Sequence, residues 1–93
     1  MRYGKLQMLN LILQPYVLEI LRELKKNPKR FKELQKFVKN ERTLSQKLAK
    51  LQDYRLVGMT HLKADGRYVN FYIITNLGKE VLRAIENIKL SKV

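Results

Sequence analysis

The order of elements in this chain is decided by residues 31–75, which read FKELQKFVKNERTLSQKLAKLQDYRLVGMTHLKADGRYVNFYIIT. Hydrophobic residues are first spaced three or four apart, as in a helix, and after residue 56 they follow the two-residue period of a strand. The β-branched and aromatic residues of the second part lie on both sides of Asp65-Gly66, a pair that favours a type I′ turn. The stretch therefore predicts helices followed by one β-hairpin.

The register of this hairpin follows from its turn. A two-residue loop at Asp65-Gly66 pairs Lys63 with Tyr68 and, at the base of the hairpin, Val57 with Ile74. Side chains alternate between the two faces of such a ribbon. The face expected to pack on the helices comprises Val57, Met59, Tyr72 and Ile74, and the opposite face carries an apolar stripe of Leu62, Val69, Phe71 and Ile73.

Helical patterns precede the hairpin. Leu44, Leu48 and Leu51 form the inner stripe of a helix over residues 40–54, with Asn40 or Thr43 as its N-cap. Before it, the apolar positions predict a short helix, formed by Phe31, Leu34, Phe37 and Val38.

Further helices are expected at both ends of the chain. The N-terminal region predicts two, over about 5–13 and 15–26, with Pro15 as the first residue of the second. Asn27-Pro28 ends that helix, because the residue before proline avoids the helical region. The last helix follows the hairpin, capped by Thr75 or Asn76, and its stripe comprises Leu77, Val81, Ile85 and Ile88.

This order predicts a mainly helical α+β fold, a winged helix-turn-helix with a two-stranded β-hairpin wing and flanking N- and C-terminal helices. The helix-turn-helix spans about 31–54, the wing about 57–75, and the terminal helices about 5–26 and 76–90. Because the 93 residues contain no linker-like segment, we expect residues 1–93 to form a single DNA-binding domain.

The charge is strongly positive and unevenly distributed. Twenty Lys and Arg against eight Asp and Glu give a net charge of +12. Residues 25–50 alone hold ten Lys and Arg against two Glu, which is two-thirds of the excess. Such a basic segment on a helix-turn-helix pattern is typical of nucleic-acid binding, so double-stranded DNA is the expected partner.

The 40–54 helix is the expected recognition helix. Setting its leucines inward turns four side chains toward the bases, namely Arg42, Thr43, Gln46 and Lys50. Arg42 or Lys50 can donate to guanine, and Gln46 can pair with adenine. Contacts to phosphate, including those from the wing, are expected from Arg30, Lys32, Lys36, Lys39, Lys47, Lys63 and Arg67.

Three stretches resemble the HxlR-type winged-helix regulators, and the likeness covers about residues 16–82. Residues 28–34 (PKRFKEL) are similar to that family's G-P-x-R-F-x-E-L, and residues 44–51 (LSQKLAKL) to its L-T-x-R-L-x-x-L. Residues 72–78 (YIITNLG) look like its Y-x-L-T-x-L-G. The order and spacing are typical of winged-helix regulators of the HxlR, MarR and ArsR kind, and less specific for any one of these families.

The resemblance implies a homodimeric DNA-binding regulator, but the chain departs from the family pattern twice. It has no cysteine, so the thiol switch common among HxlR-type proteins is excluded. Arg55 stands where the family usually has a glycine after the recognition helix. Arg55 therefore either adopts the left-handed conformation at a cost, or the helix ends differently.

The apolar stripes also predict a subunit interface. The residues assigned to it are Leu6, Leu9, Leu13, Phe71, Val81, Ile85 and Ile88. The stripe on the wing needs a cover, which is either a second subunit or a terminal helix of the same chain. Phe71→Glu should convert the dimer to a monomer in the first case.

The sequence does not show the residue patterns that metal sites, nucleophilic enzymes or phosphate-binding loops require. His61 has no second ligand at metal spacing, Ser45 and Ser91 lie outside any nucleophile motif, and the four glycines are too scattered for a phosphate loop. We therefore expect no enzyme, no cofactor and no metal. Without a membrane span or signal peptide, a cytoplasmic, nucleoid-associated protein is expected.

Two alternatives stay open. The charge also suits a sequence-tolerant chromatin, nucleoid or RNA-binding protein. A winged-helix protein-interaction module is the third possibility, and it predicts that neutralising Arg42, Gln46 and Lys50 leaves its binding intact.

Overall fold

The computed structural model describes residues 4–91, with side chains described for residues 4–88. In chain order the elements are α1 (Lys5–Ile12), α2 (Val17–Lys26), α3 (Phe31–Leu34), α4 (Glu41–Asp53), β1 (Val57–Ala64), β2 (Arg67–Ile74) and α5 (Asn76–Ser91). The predicted winged helix-turn-helix, mainly helical with one two-stranded wing, is confirmed.

The core forms where α2 and α4 pack together with the base of the hairpin. Leu44, Leu48 and Leu51 are 0–1% exposed, as their helical spacing predicts. Four residues of α2 join them, namely Val17, Ile20, Leu21 and Leu24. All buried side chains in the described part of the chain are apolar, so burial of apolar surface is the main source of its stability.

The hairpin has the predicted register. β1 and β2 are antiparallel, with Lys63 opposite Tyr68 and Val57 opposite Ile74. Asp65 and Gly66 both have positive φ, 54° and 79°, as a type I′ turn requires.

Only the base of this hairpin reaches the helices. Val57 and Ile74 are buried, and Tyr72 packs partly against the core. Met59 is 43% exposed, so the expectation that it packs on the helices is wrong. It lies opposite Tyr72, two residues beyond Val57, where the helices no longer cover the ribbon.

A backbone joint connects α4 to the wing. Arg55 adopts a left-handed φ of 61°, which is the first of the two predicted alternatives. The Arg55 amide donates to the Gln52 carbonyl and the Leu56 amide to the Leu51 carbonyl, each at 2.9 Å. This pair of bonds is a Schellman motif, and it fixes the direction in which the chain leaves α4.

Thr75 and Gly78 fasten the start of α5 to the same joint. The Thr75 hydroxyl donates to the carbonyl oxygen of Arg55 at 2.7 Å. Its oxygen accepts from the Gly78 amide at 2.9 Å, so Thr75 is the cap. A Cβ on Gly78 would overlap the Leu56 carbonyl oxygen, because α5 crosses that carbonyl closely.

The prediction that α2 begins at Pro15 is wrong. Helix α1 ends at Ile12 and α2 begins at Val17. Tyr16 precedes α2 with a left-handed φ of 73°, so Pro15 lies in the turn between the helices.

Helix α3 is shorter than its apolar spacing indicates. It ends at Leu34, and the Lys36 and Phe37 amides bond three residues back, to Glu33 and Leu34. This tighter turn leaves Phe37 45% exposed, while Val38 is buried. Phe37 therefore does not share the buried side of Leu34 and Val38.

Helix α5 presents two apolar faces. Gly78 and Leu82 are buried against the rest of the fold, while Leu77, the first residue of the predicted stripe, is 41% exposed. Within residues 4–91, no helix has both the length and the apolar character needed to cross a membrane.

Candidate nucleic-acid interface

The outer face of α4 carries the predicted base-facing side chains. Arg42, Gln46 and Lys50 are exposed and Thr43 is half-buried. The Asn40 side chain caps the helix by accepting from the Thr43 amide at 2.9 Å. The cap fixes the first turn, from which Arg42 and Thr43 project.

Three of these side chains are available for a ligand. In the described residues, no hydrogen bond or ion pair engages Arg42, Gln46 or Lys50. Binding to a base or phosphate therefore breaks no contact within the chain.

A cationic cleft lies beside α3, with a volume of about 290 Å³, and its walls are Arg30, Lys32, Glu33 and Lys36. The Glu33 carboxylate accepts from the Arg30 backbone amide at 2.8 Å and so caps α3. Lys32, Lys36 and also Lys39 are exposed. The cleft is thus a surface with three cations and one carboxylate already bonded to the backbone.

Arg30 connects α3 to the wing. Its guanidinium carbon lies 5.6 Å from the centroid of the Phe71 ring, and its Nη2 lies 3.9 Å from the Asp65 carboxylate. Beside it, Lys29 exchanges two backbone hydrogen bonds with Tyr72, at 2.7 and 3.1 Å. Arg30 therefore lies along the wing, between the Phe71 ring and the turn at Asp65 that separates Lys63 from Arg67.

The tip of the wing exposes further polar and basic side chains. Lys63 and Arg67 are exposed, and Tyr68, opposite Lys63, is 74% exposed. Nearer the base, desolvation by burial raises the pKa of Tyr72 above its ordinary value.

Among the predicted phosphate contacts, Lys47 bonds to the turn that follows α1. Its Nζ donates to Oε1 of Gln14 at 2.7 Å. Gln14 lies in the turn between α1 and α2, next to Pro15 and Tyr16. Gln14 is not among the residues predicted from the sequence, because no local pattern signals a contact between residues 33 positions apart.

An apolar groove separates α1 from α5. It has a volume of about 400 Å³, and its walls are Lys5, Met8, Leu9, Ile12, Val81, Ala84, Ile85 and Ile88. Four of the seven predicted interface residues thus meet in this groove. Leu6 and Leu13 are more than 70% exposed at α1, and Phe71 lies on the wing beneath Arg30.

Between residues 4 and 91, no three His, Cys, Asp or Glu side chains are grouped so that they could hold a metal ion.

Comparison with known proteins identifies the family. The model of the HxlR-like helix-turn-helix family matches residues 11–91. The chain belongs to this family. Membership identifies a transcription regulator of the winged-helix type and not an enzyme, as predicted. No curated protein sequence matches the chain significantly.

Solved structures share the fold of this HxlR-family chain. The reduced transcriptional regulator YodB from B. subtilis superposes with a TM-score of 0.78 at 18% identity, over 96% of this chain and 90% of YodB. A PadR family transcription regulator from Clostridium difficile superposes with a TM-score of 0.68 at 22% identity, over 77% of this chain and 84% of the PadR chain. The E41A variant of Lactococcus lactis ZitR superposes with a TM-score of 0.69 at 17% identity, over 98% of this chain and 61% of ZitR.

Proposed function

We propose that this HxlR-family chain is a homodimeric regulator that docks α4 of each subunit into adjacent major grooves of a pseudo-palindromic DNA site. The observation that carries the proposal is the outer face of α4, where Arg42, Gln46 and Lys50 are exposed and unengaged. The two half-sites would lie about 34–36 Å apart, one helical turn of DNA. Such a regulator acts on the nucleoid, in the cytoplasm.

Base contacts come from α4 in this proposal. Arg42 and Lys50 donate to guanine, Gln46 pairs with adenine, and Thr43 contacts an adjacent base edge. Ala49 is exposed between Gln46 and Lys50, and its small side chain permits close approach to the groove.

Phosphate contacts surround this face. The lysines beside α3 bind one strand, and the cations at the wing tip bind the backbone on the other side of α4. The residues assigned to phosphate are Arg30, Lys32, Lys36, Lys39, Lys47, Lys63 and Arg67. Arg30 is placed least directly, because Phe71 and Asp65 hold it along the wing.

The partner subunit covers the groove between α1 and α5. Its walls are apolar apart from Lys5, and apolar surface of this kind is stabilised when another subunit removes it from water. A second copy presenting the same helices is self-complementary across a two-fold axis. Leu6 and Leu13, exposed on either side of Leu9, extend the contact.

DNA binding is tested by titrating the purified protein against duplex DNA from upstream of its own gene and against a scrambled duplex of equal length, at two salt concentrations. The proposal predicts a preference of about 10³ or more for a cognate duplex that persists at higher salt. Equal affinities that fall together with salt would favour the sequence-tolerant binder, which the net charge of +12 also suits. Absence of binding at low salt would favour the protein-interaction module.

The interface is tested by sedimentation of Leu9→Glu beside Phe71→Glu. If the groove is the interface, Leu9→Glu is monomeric and Phe71→Glu remains a dimer, because Phe71 lies on the wing beneath Arg30. The opposite result would place the interface on the wing stripe. A monomeric wild type would contradict the dimer altogether.

A further inference from the structure

A second cleft lies on the side of α4 that faces the N-terminal turn. Its volume is about 330 Å³, and its walls are Gln14, Gln46, Lys47, Ala49 and Lys50. Gln46 and Lys50 also belong to the proposed base-reading face. The cleft therefore adjoins the path of the DNA strand that would flank α4.

The composition of this cleft selects an anion. Two ammonium groups and two carboxamides line it, and none of its lining residues is acidic. The Lys47 ammonium has three N–H donors, one of which donates to Oε1 of Gln14. Two donors remain for a ligand, which is the hydrogen-bonding pattern that a phosphodiester accepts.

Gln14 is held where it can orient Lys47. The backbone amide of Gln14 donates to the Leu11 carbonyl at 3.0 Å, and its backbone carbonyl accepts from the Val17 amide at 3.4 Å. The left-handed Tyr16 turns the chain between these two bonds. A lysine side chain is otherwise flexible, and its bond to Gln14, whose backbone is held, reduces the entropy lost when the ammonium binds a ligand.

We propose that this cleft is a phosphate site for the DNA backbone, in which Gln14 is a positioning residue for Lys47. This inference rests on the proposed function and adds the α1–α2 turn to the DNA interface. It also connects the turn that follows α1, the helix of the proposed dimer groove, to the recognition helix.

The test is a double-mutant cycle on duplex affinity and its salt dependence. Lys47→Ala should make the slope of log affinity against log salt shallower by about 0.9, because one phosphate contact is lost. Gln14→Leu should weaken binding about threefold without changing the slope, because the ammonium is still present but less ordered. In the Lys47→Ala background, Gln14→Leu should have no effect.

Gln14→Glu provides the sharpest readout. Its carboxylate would pair with Lys47 in place of the phosphate, so the slope should become shallower by about 0.9 while folding stability is kept. Lys79 is an exposed lysine on α5 that does not line the cleft. Lys79→Ala is therefore the matched control, and it should leave the effects of the Gln14 substitutions on affinity and salt slope unchanged. Unfolding midpoints of all variants identify any loss that comes from misfolding.

Two sets of results would overturn the inference. The site alone is contradicted if Gln14→Leu leaves DNA affinity unchanged, or lowers it equally with and without Lys47. It is also contradicted if Gln14→Glu binds DNA more tightly than the wild type. A wild type that binds no duplex DNA contradicts the proposed function itself.

Discussion

The inner and outer faces of α4 differ in what determines their residues. On the inner face Leu44, Leu48 and Leu51 are 0–1% exposed, so packing fixes both their type and their position. On the outer face the side chains of Arg42 and Lys50 are exposed and form no hydrogen bond or ion pair with the described residues. The fold places them but does not need them, which separates stability from binding along a single helix.

Removing an inner side chain should give the largest effect. Leu48→Ala leaves a cavity in the core between α2 and α4, and should lower the free energy of unfolding by about 3 kcal/mol. Lys50→Ala, on the opposite face, should change it by less than about 0.5 kcal/mol. Urea unfolding of both variants checks the difference, and equal values would erase the contrast between the faces.

The end of α4 depends on backbone geometry and not on either face. Gly78→Ala places a methyl group against the Leu56 carbonyl oxygen and should cost about 2 kcal/mol. Thermal unfolding measures it. Gly58→Ala is the control, because a Cβ at that position meets only ordinary contacts at 3.6 Å or more. If Gly78→Ala lowers stability less than the control does, the close approach of α5 to the Leu56 carbonyl does not constrain residue 78.

Changing the outer face should alter preference and not stability. Gln46→Ala removes a side chain proposed to pair with adenine, and should cost about 1.5 kcal/mol of discrimination at one base pair of the half-site. Lys36→Ala should instead weaken every duplex alike and make the salt slope shallower by about 0.9. Affinities for a set of single-base variants distinguish the two. A uniform loss for Gln46→Ala would mean that it contacts only the backbone.

The smallest effect is expected at the left-handed residue after α4. Arg55 adopts a φ of 61°, which glycine adopts without steric cost. Arg55→Gly should therefore stabilise the protein by about 0.5 kcal/mol, the steric relief being partly offset by the greater entropy of the unfolded chain. Chemical denaturation measures the change, and a clear destabilisation would show that the Arg55 side chain itself contributes.

Much of the fold follows from local pattern. The register of the hairpin comes from Asp65-Gly66 alone, since a two-residue turn leaves one pairing. The orientation of α4 comes from its three leucines, because only one rotation of the helix buries them all.

What the sequence does not predict depends on contacts between distant segments. Pro15 is a favourable first helical residue, yet Tyr16 takes a left-handed conformation and delays α2 to Val17. The bond between Gln14 and Lys47 joins segments with no shared motif. Met59 keeps the expected face of the ribbon but extends beyond the helices, a distance that alternation does not encode.

The central claim is that two copies of α4 read one DNA site. Selection of bound sequences from a random duplex library tests it most directly. The account predicts an inverted repeat whose half-sites are centred about one helical turn apart, and loss of one conserved position when Gln46→Ala is used. A pool without any enriched sequence, or a single unrepeated motif, would contradict it.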